Sequence, residues 1–371
     1  MHEPPQGTEL PSALATKRHL PPHTPYVPLS PGRHPSRPRL QRPAPPPAPH
    51  HFRGANIRPA VETLDLAPTP ETLDAAPARP AVRRVAGRDL VELTKPRITL
   101  MVAVTAAAGF VMASPGPLAG LEWALLAHLL VGTSLVAAGA SALNQVVERE
   151  VDGRMERTAG RPLASGRMDP DVGLLWAVAL SVAGLAWLTV AVNPLTALLG
   201  ALTLAGYVFV YTPMKRLSSL ATVVGAVPGA VPPMMGWAAA AGQLEPGAWI
   251  LFGILFLWQL PHFLAIAWMC RDDYARGGMP MLPVLDPDGA RTGRQAVLYG
   301  AALVPVSLVP TLLGLTGPVY FGGALALSLA YFAAALVFRR RRDEPAARRL
   351  LLASVVYFPA ILAVMLVDRV V

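Results

Sequence analysis

VGLLWAVALSVAGLAWLTVAVNPLTALLGALTLAGYVFVYTPM, residues 172–214, runs for more than forty positions without one Asp, Glu, Lys or Arg. A helix crosses the hydrocarbon core of a bilayer in about 20 residues. The stretch therefore holds two crossings, and Asn193-Pro194 near its middle supplies the turn between them. Residues 295–338 repeat the arrangement, broken at Thr316-Gly317-Pro318, and further charge-free runs cover 98–121, 123–147, 217–244, 246–270 and 350–367. These predict nine spans, near 98–115, 122–143, 172–190, 195–212, 219–241, 247–270, 295–314, 318–338 and 350–367. The expected fold is all-α: a polytopic membrane bundle of nine transmembrane helices.

Composition points the same way. Of 371 residues 53% are hydrophobic and 15% charged, where a soluble chain carries roughly a quarter charged residues. That excludes an ordinary soluble enzyme, a disulfide-rich secreted domain and a nucleic-acid-binding module. The net charge of +9 is instead a question of where the charges lie relative to the spans. The single cysteine, Cys270, allows neither a disulfide framework nor a cysteine metal cluster.

The chain divides near residue 86. Half of its 40 prolines fall within residues 1–90, and stretches such as Arg42-Pro43-Ala44-Pro45-Pro46-Pro47 show no helical or strand period. Residues 1–85 are read as a disordered, Pro-rich tail, and 86–371 as the membrane domain. The tail has no apolar core near Met1 that would make it a secretory signal, and His50-His51 is read as a solvated pair rather than a metal site.

Charge fixes the expected orientation. The loops near 144–169, 213–218, 271–294 and 339–349 hold 17 Lys and Arg, and the loops on the other side hold none. The positive-inside rule puts the N-terminus and the charged loops in the cytoplasm and the C-terminus outside. The membrane is expected to be the cell (inner) membrane.

The chemistry is therefore sought at the charged end. The second span runs into Asn144-Gln-Val-Val-Glu148-Arg-Glu-Val-Asp152. On a helix, steps of four drift by only about 40° each, so Asn144, Glu148 and Asp152 share a face. Such a ladder of oxygens suits Mg²⁺, which is usually held by one or two carboxylates together with substrate phosphates. Behind it follow Arg157, Arg161 and Arg167, able to pair with phosphate or carboxylate. A solvated juxtamembrane helix of mixed charge would read the same way in isolation. The sixth span leads to a second acidic group, Asp272-Asp273, at the same end, and contains His262. An ionisable residue within a span is a functional hypothesis by default, although a buried histidine satisfied by a carbonyl is the plainer alternative.

These features, with Leu93-Thr-Lys95-Pro96-Arg97, Met155 to Arg167, Tyr211-Thr212-Pro213-Met-Lys215-Arg216, Gly225 to Pro233, Trp258-Gln259-Leu-Pro261-His262-Phe263 and Arg271-Asp272-Asp273-Tyr274, resemble the UbiA-type intramembrane prenyltransferases. The likeness covers about 88–371. Trp258 to Phe263 and Pro280-Met-Leu-Pro283 resemble the branch of that superfamily that prenylates heme. Two positions depart from the pattern: Glu148 and Glu150 stand where Asp is usual.

The resemblance implies transfer of the farnesyl group of farnesyl diphosphate to the 2-vinyl group of heme b, giving heme O and diphosphate. It implies Mg²⁺ as cofactor, with Asn144, Glu148, Asp152, Asp272 and Asp273 as metal ligands. Asn144, Asp152, Asp272, Asp273 and His262 are the expected catalytic set. Arg97, Arg157, Arg161, Lys215, Arg216, Arg271 and Tyr211 are the expected substrate-binding set, for diphosphate or heme propionates. His262 would ligate heme iron or accept a proton, deeper in the cavity than the metals. Heme b is substrate rather than cofactor, and the expected partners are the lipid bilayer and a downstream heme A synthase or terminal oxidase, with no nucleic acid. A UbiA-type enzyme acting on a quinone precursor or chlorin would keep both acidic groups. A transporter would place its charges at mid-span with internal repeats, and a non-catalytic assembly factor for an oxidase would not need both acidic groups intact.

Overall fold

The computed structural model describes residues 86–370, so the expectation for the tail lies outside the described residues. Among them, nine helices are long and apolar enough to cross a membrane. A short helix α1 (Gly87–Leu93) precedes α2 (Pro96–Ala113), α3 (Trp123–Asp152), α4 (Pro170–Ala191), α5 (Pro194–Met214), α6 (Ala221–Ala241) and α7 (Pro246–Met269). Two small helices, α8 (Arg271–Arg276) and α9 (Leu282–Leu285), lead to α10 (Ala290–Leu312), α11 (Pro318–Arg341) and α12 (Glu344–Val367). All nine expected spans are present, and both expected turns fall where Asn193-Pro194 and Gly317-Pro318 stand.

Local chemistry explains the punctuation. Proline occupies the first turn of α2, α4, α5, α7, α11 and α12, where its missing N–H would lack an intrahelical partner anyway. Asn193 accepts the Thr196 N–H at 2.8 Å and gives its own amide to the Ala238 carbonyl at 2.8 Å, capping α5 while tying it to α6. Asp343 caps α12 through the Ala346 N–H.

Three details differ from the expected spans. The charged loop expected at 339–349 is mostly helix: Arg339, Arg340 and Arg341 close α11, and Arg348 and Arg349 lie in the first turns of α12. Long arginines let a helix continue past the hydrocarbon while their heads reach water. The fifth span is two half-helices, Ala221–Ala230 and Pro232–Ala241, because Pro232 and Pro233 supply no N–H across the break. The fourth contains a π-helical stretch, Gly206–Tyr211.

Small residues set the packing. A Cβ at Gly236 would run into the Ala106 carbonyl, and one at Gly109 into the Pro233 carbonyl, so α2 and the second half of α6 approach backbone to backbone. In the C-terminal group, Ser307 and Ser328 share a 2.7 Å hydrogen bond between α10 and α11, and the Tyr320 hydroxyl donates to the Ser307 carbonyl at 2.8 Å. At the end of the bundle away from the acidic ladder, the Arg369 guanidinium donates to the Val111 and Gly116 carbonyls, and Asp368 accepts the Tyr320 N–H at 2.6 Å. The last residues are thereby pinned to the end of α2 and the start of α11.

Candidate active site

The acidic ladder is inside the protein. Asn144, Glu148 and Asp152 are only 2%, 3% and 1% exposed, although they lie in the last turns of a helix that leaves the apolar region. Buried carboxylates need partners, and each has found one. Asn144 donates to the Thr212 hydroxyl at 3.2 Å and accepts from Lys95 Nζ at 3.2 Å. Glu148 pairs with Lys215. Asp152 Oδ2 pairs with Arg161 Nη1 at 2.6 Å, and the Asp152 carbonyl accepts from the Thr158 hydroxyl at 2.8 Å. The other carboxylate oxygen of Asp152, Oδ1, is buried with no hydrogen-bond partner among the described residues. A buried anionic oxygen left without a donor is a ready cation ligand, and this all-oxygen donor set suits a hard divalent ion.

The basic residues around the ladder arrive by different routes. Lys95 closes the turn between α1 and α2 in a left-handed conformation, φ 48°, uncommon for a residue with a side chain. That turn carries its ammonium to Asn144, and burial beside the Arg161 and Lys215 cations lowers its pKa to about 7. Lys215 follows the π-helical stretch, which also aims Tyr211 across the site; the ammonium lies 4.8 Å from the Tyr211 ring centre. π-Helical insertions often mark functional sites. The Tyr211 ring also packs on α6 at Gly225, where a Cβ would strike the ring.

The second acidic group behaves differently. Asp273 accepts the Glu156 N–H at 2.9 Å and pairs with Arg276 at 2.6 Å, fastening α8 to the loop that follows α3. Asp272 is exposed, its nearest basic partner Arg271 at 4.0 Å. Among the described residues no group of three or more His, Cys, Asp and Glu side chains is close enough to hold one metal ion. The physical reason is local neutralisation. Glu148, Asp152 and Asp273 are each matched by a cation of their own, Lys215, Arg161 and Arg276.

The remaining expected residues divide. Arg157 lies at the mouth of the site, 5.7 Å over the Tyr274 ring, and burial pushes the Tyr274 hydroxyl up. Arg271 stacks on Trp268 at 4.8 Å and donates to its carbonyl. Arg216 is exposed and reaches only the Val147 carbonyl at 3.5 Å, and Arg97 is exposed in the first turn of α2. Arg167 faces away from the ladder, pairing with Asp89 at 2.5 Å and Glu92 at 2.9 Å to hold α1 in place. Sequence reasoning missed Lys95, Thr212 and Tyr274 as site residues. Each lies within a motif already singled out, but Arg97 was preferred to Lys95, and only the backbone turn distinguishes them.

A cleft opens between α5, α6, α7 and the α8–α9 segment, lined by Tyr211, Thr222, Phe263, Ile266, Ala267, Tyr274 and Met281. His262 is not part of this lining. It is stacked on Trp258 (ring centres 5.2 Å apart, planes 25° apart), with Nδ1 2.7 Å from the Ser354 hydroxyl of α12.

The UbiA prenyltransferase family model matches residues 102–356. A protoheme IX farnesyltransferase of Solibacter usitatus is 50% identical over 288 residues, covering 76% of this chain and 99% of the relative. The protoheme IX farnesyltransferase of Salinibacter ruber is 45% identical over 280 residues, covering 76% and 98%. Among solved structures, a digeranylgeranylglyceryl phosphate synthase superposes with a TM-score of 0.63 at 14% identity, over 76% of this chain and 97% of that one. A UbiA homolog from Archaeoglobus fulgidus bound to GPP and Mg²⁺ superposes with a TM-score of 0.55 at 16% identity, over 75% and 99%.

Proposed function

The chain belongs to the UbiA prenyltransferase family, and we propose that it transfers the farnesyl group of farnesyl diphosphate to the 2-vinyl group of heme b, giving heme O and diphosphate. The structural observation that carries the prenyl-transfer half is the buried Asn144–Glu148–Asp152 face with its unpartnered Asp152 oxygen, ringed by Lys95, Arg161 and Lys215. The names of the relatives support heme as the acceptor.

Breaking the allylic C1–O bond of a prenyl diphosphate leaves an allylic cation and a diphosphate carrying about three negative charges, which fixed positive groups must stabilise. Lys95, Arg161 and Lys215 each meet the Asn144–Glu148–Asp152 face, which supports assigning them to that charge, with Arg157 at the rim. Asn144, Glu148 and Asp152 would hold Mg²⁺, which supplies Lewis-acid neutralisation of the leaving diphosphate. Asp272 and Asp273 complete the proposed ligand set by position at the same end of the bundle, Asp272 being exposed and loosely held. The cleft lined by Tyr211, Phe263 and Ile266 accepts the isoprenoid and keeps water from the cation until it adds to the vinyl group, after which one water completes the hydroxyethyl carbon and one proton is released. Tyr211 forms the wall between the diphosphate end and that cleft. The charged end is assigned to the cytoplasm, in the cell membrane, with the product passed to a heme A synthase or terminal oxidase.

Membranes containing the protein, supplied with heme b, farnesyl diphosphate and Mg²⁺, should form heme O by mass spectrometry, and excess chelator should stop the reaction until Mg²⁺ is restored. Prenylation of a quinone precursor with no heme O formed would reassign the acceptor. Undiminished turnover in chelator would remove the metal.

A further inference from the structure

His262 and Ser354 lie on different helices and meet at 2.7 Å between imidazole Nδ1 and the hydroxyl oxygen. The direction of that bond follows from the rest of the serine's bonding. Ser354 Oγ is also 2.5 Å from the Leu351 carbonyl of its own helix. A carbonyl only accepts and a hydroxyl has one proton to give, so the proton of Ser354 goes to Leu351. Toward His262 the hydroxyl can then only accept, and Nδ1 must carry the ring hydrogen. In a neutral imidazole this leaves Nε2 with a free lone pair, and among the described residues Nε2 has no hydrogen-bond partner.

The ring is also held in orientation. Its face lies on Trp258, which stacks in turn on Phe358 at 4.5 Å and donates its indole N–H to the Ser354 carbonyl at 2.9 Å. One residue of α12 thus fixes both aromatic side chains of α7, the indole by its backbone and the imidazole by its hydroxyl. Ser354 is wholly buried, whereas His262 stays partly exposed. His262 lies seven residues inside the end of α7, about 10 Å of helix rise. That depth does not suit contact with the diphosphate at the ladder, but it suits the centre of a macrocycle whose edge reaches toward the reacting carbon.

The geometry points to Ser354 as a positioning residue for the substrate. It locks His262 in the Nδ1–H tautomer so that Nε2 serves as axial ligand to the iron of heme b. This rests on the heme reading above. Imidazole ligands commonly donate their second ring N–H to an acceptor that fixes tautomer and orientation and raises basicity, and loss of that acceptor typically weakens metal binding about 10- to 100-fold. A hydroxyl is a modest acceptor, so the low end applies.

The test compares Ser354→Ala, Ser354→Thr and His262→Ala in the full-length protein, titrated with heme b and assayed for turnover. Ser354→Ala keeps the carbonyl that holds Trp258 and removes only the hydroxyl. It should bind heme b about 10-fold more weakly, raise KM for heme while leaving KM for farnesyl diphosphate unchanged, and shift the iron–imidazole stretching band of the ferrous complex. Ser354→Thr should recover all three. If His262→Ala leaves the iron coordination spectrum unchanged, ligation by His262 fails and the proposal with it. If His262→Ala loses the band but Ser354→Ala keeps wild-type band, affinity and KM, ligation stands and the role of Ser354 is overturned. A defect in Ser354→Ala that Ser354→Thr does not repair would mark Ser354 as packing alone.

Discussion

Asp152 and Arg161 share one ion pair and leave one oxygen over: Oδ2 meets the guanidinium at 2.6 Å, while Oδ1 is buried and takes no hydrogen bond among the described residues. A purely structural salt bridge would use both oxygens of the carboxylate, since an unsatisfied charged oxygen in the interior costs several kcal/mol, order of magnitude. Under the proposed function the pair is half of a site, with Arg161 holding the carboxylate in place and Oδ1 left for a cation.

Asp152→Asn tests that division. The amide oxygen can still accept from Arg161 and the volume is unchanged, but the charge is lost. Turnover should fall by about 100-fold or more, with insertion and thermal midpoint close to wild type. A near-normal rate would remove Asp152 from the metal site.

Glu148 and Lys215 form a buried pair, to which the proposed function gives a part in both the fold and the chemistry. Removing one partner strands the other charge, at a cost of about 3–5 kcal/mol, and an apolar replacement of both is often neutral. Lys215→Met should therefore lower thermal stability strongly, and Glu148→Gln combined with Lys215→Met should restore most of it. The double variant should stay inactive, because stability and diphosphate binding are separate uses of one pair. Glu148→Asp keeps the charge with one methylene less and restores the residue usual at this position in the family, so it should retain turnover. Its loss would show that the longer side chain is matched to Lys215 in this chain.

Gly225→Ala probes the wall of the cleft. The added methyl strikes the Tyr211 ring and must push it from its place beside Lys215. The expected result is a higher KM for farnesyl diphosphate in a protein that still inserts and folds. A second change, Tyr211→Leu, would make room for the methyl but should not restore KM if the ring itself forms the site. Unchanged kinetics in Gly225→Ala would show that Tyr211 can move freely and does not shape the cleft.

The spans were legible because a charge inside a bilayer is expensive, and the sequence carries that expense openly as long runs free of charge. The same logic made Asn144, Glu148 and Asp152 readable, since a four-residue spacing survives without knowledge of any neighbour. What could not be read was partner choice. Whether Lys95 or Arg97 faces the ladder depends on the left-handed turn at Lys95, which has no signature in composition. The π-helical stretch before Thr212 shifts the register by a residue and cannot be inferred from apolar periodicity. Ser354 lies in an apolar run where serine reads as neutral, and its significance appears only when α12 packs on α7 and brings it to His262. Asp272 and Asp273 were legible as acids at the right end, but their engagement with Arg271, Arg276 and the Glu156 backbone is a tertiary fact.

The proposed orientation is open to direct labelling, and the structure decides where labels can go. Cys270 is first replaced by serine, since it is the only cysteine and is partly exposed. Glycines in the turns are poor hosts: Gly289 has φ 70° and faces Trp268, and a side chain at Gly317 would meet Asp368. Pro287, exposed in the turn before α10, and Leu313, 48% exposed at the opposite end of that helix, are free of both conflicts. In intact cells a membrane-impermeant thiol reagent should label Leu313→Cys and spare Pro287→Cys, and after permeabilisation both should react. This follows from 17 basic residues gathered at the end of the bundle that carries the acidic ladder, each resisting transfer across the membrane. Labelling of Pro287→Cys alone in intact cells would invert the topology and place the diphosphate site outside, away from a cytoplasmic supply of prenyl donor.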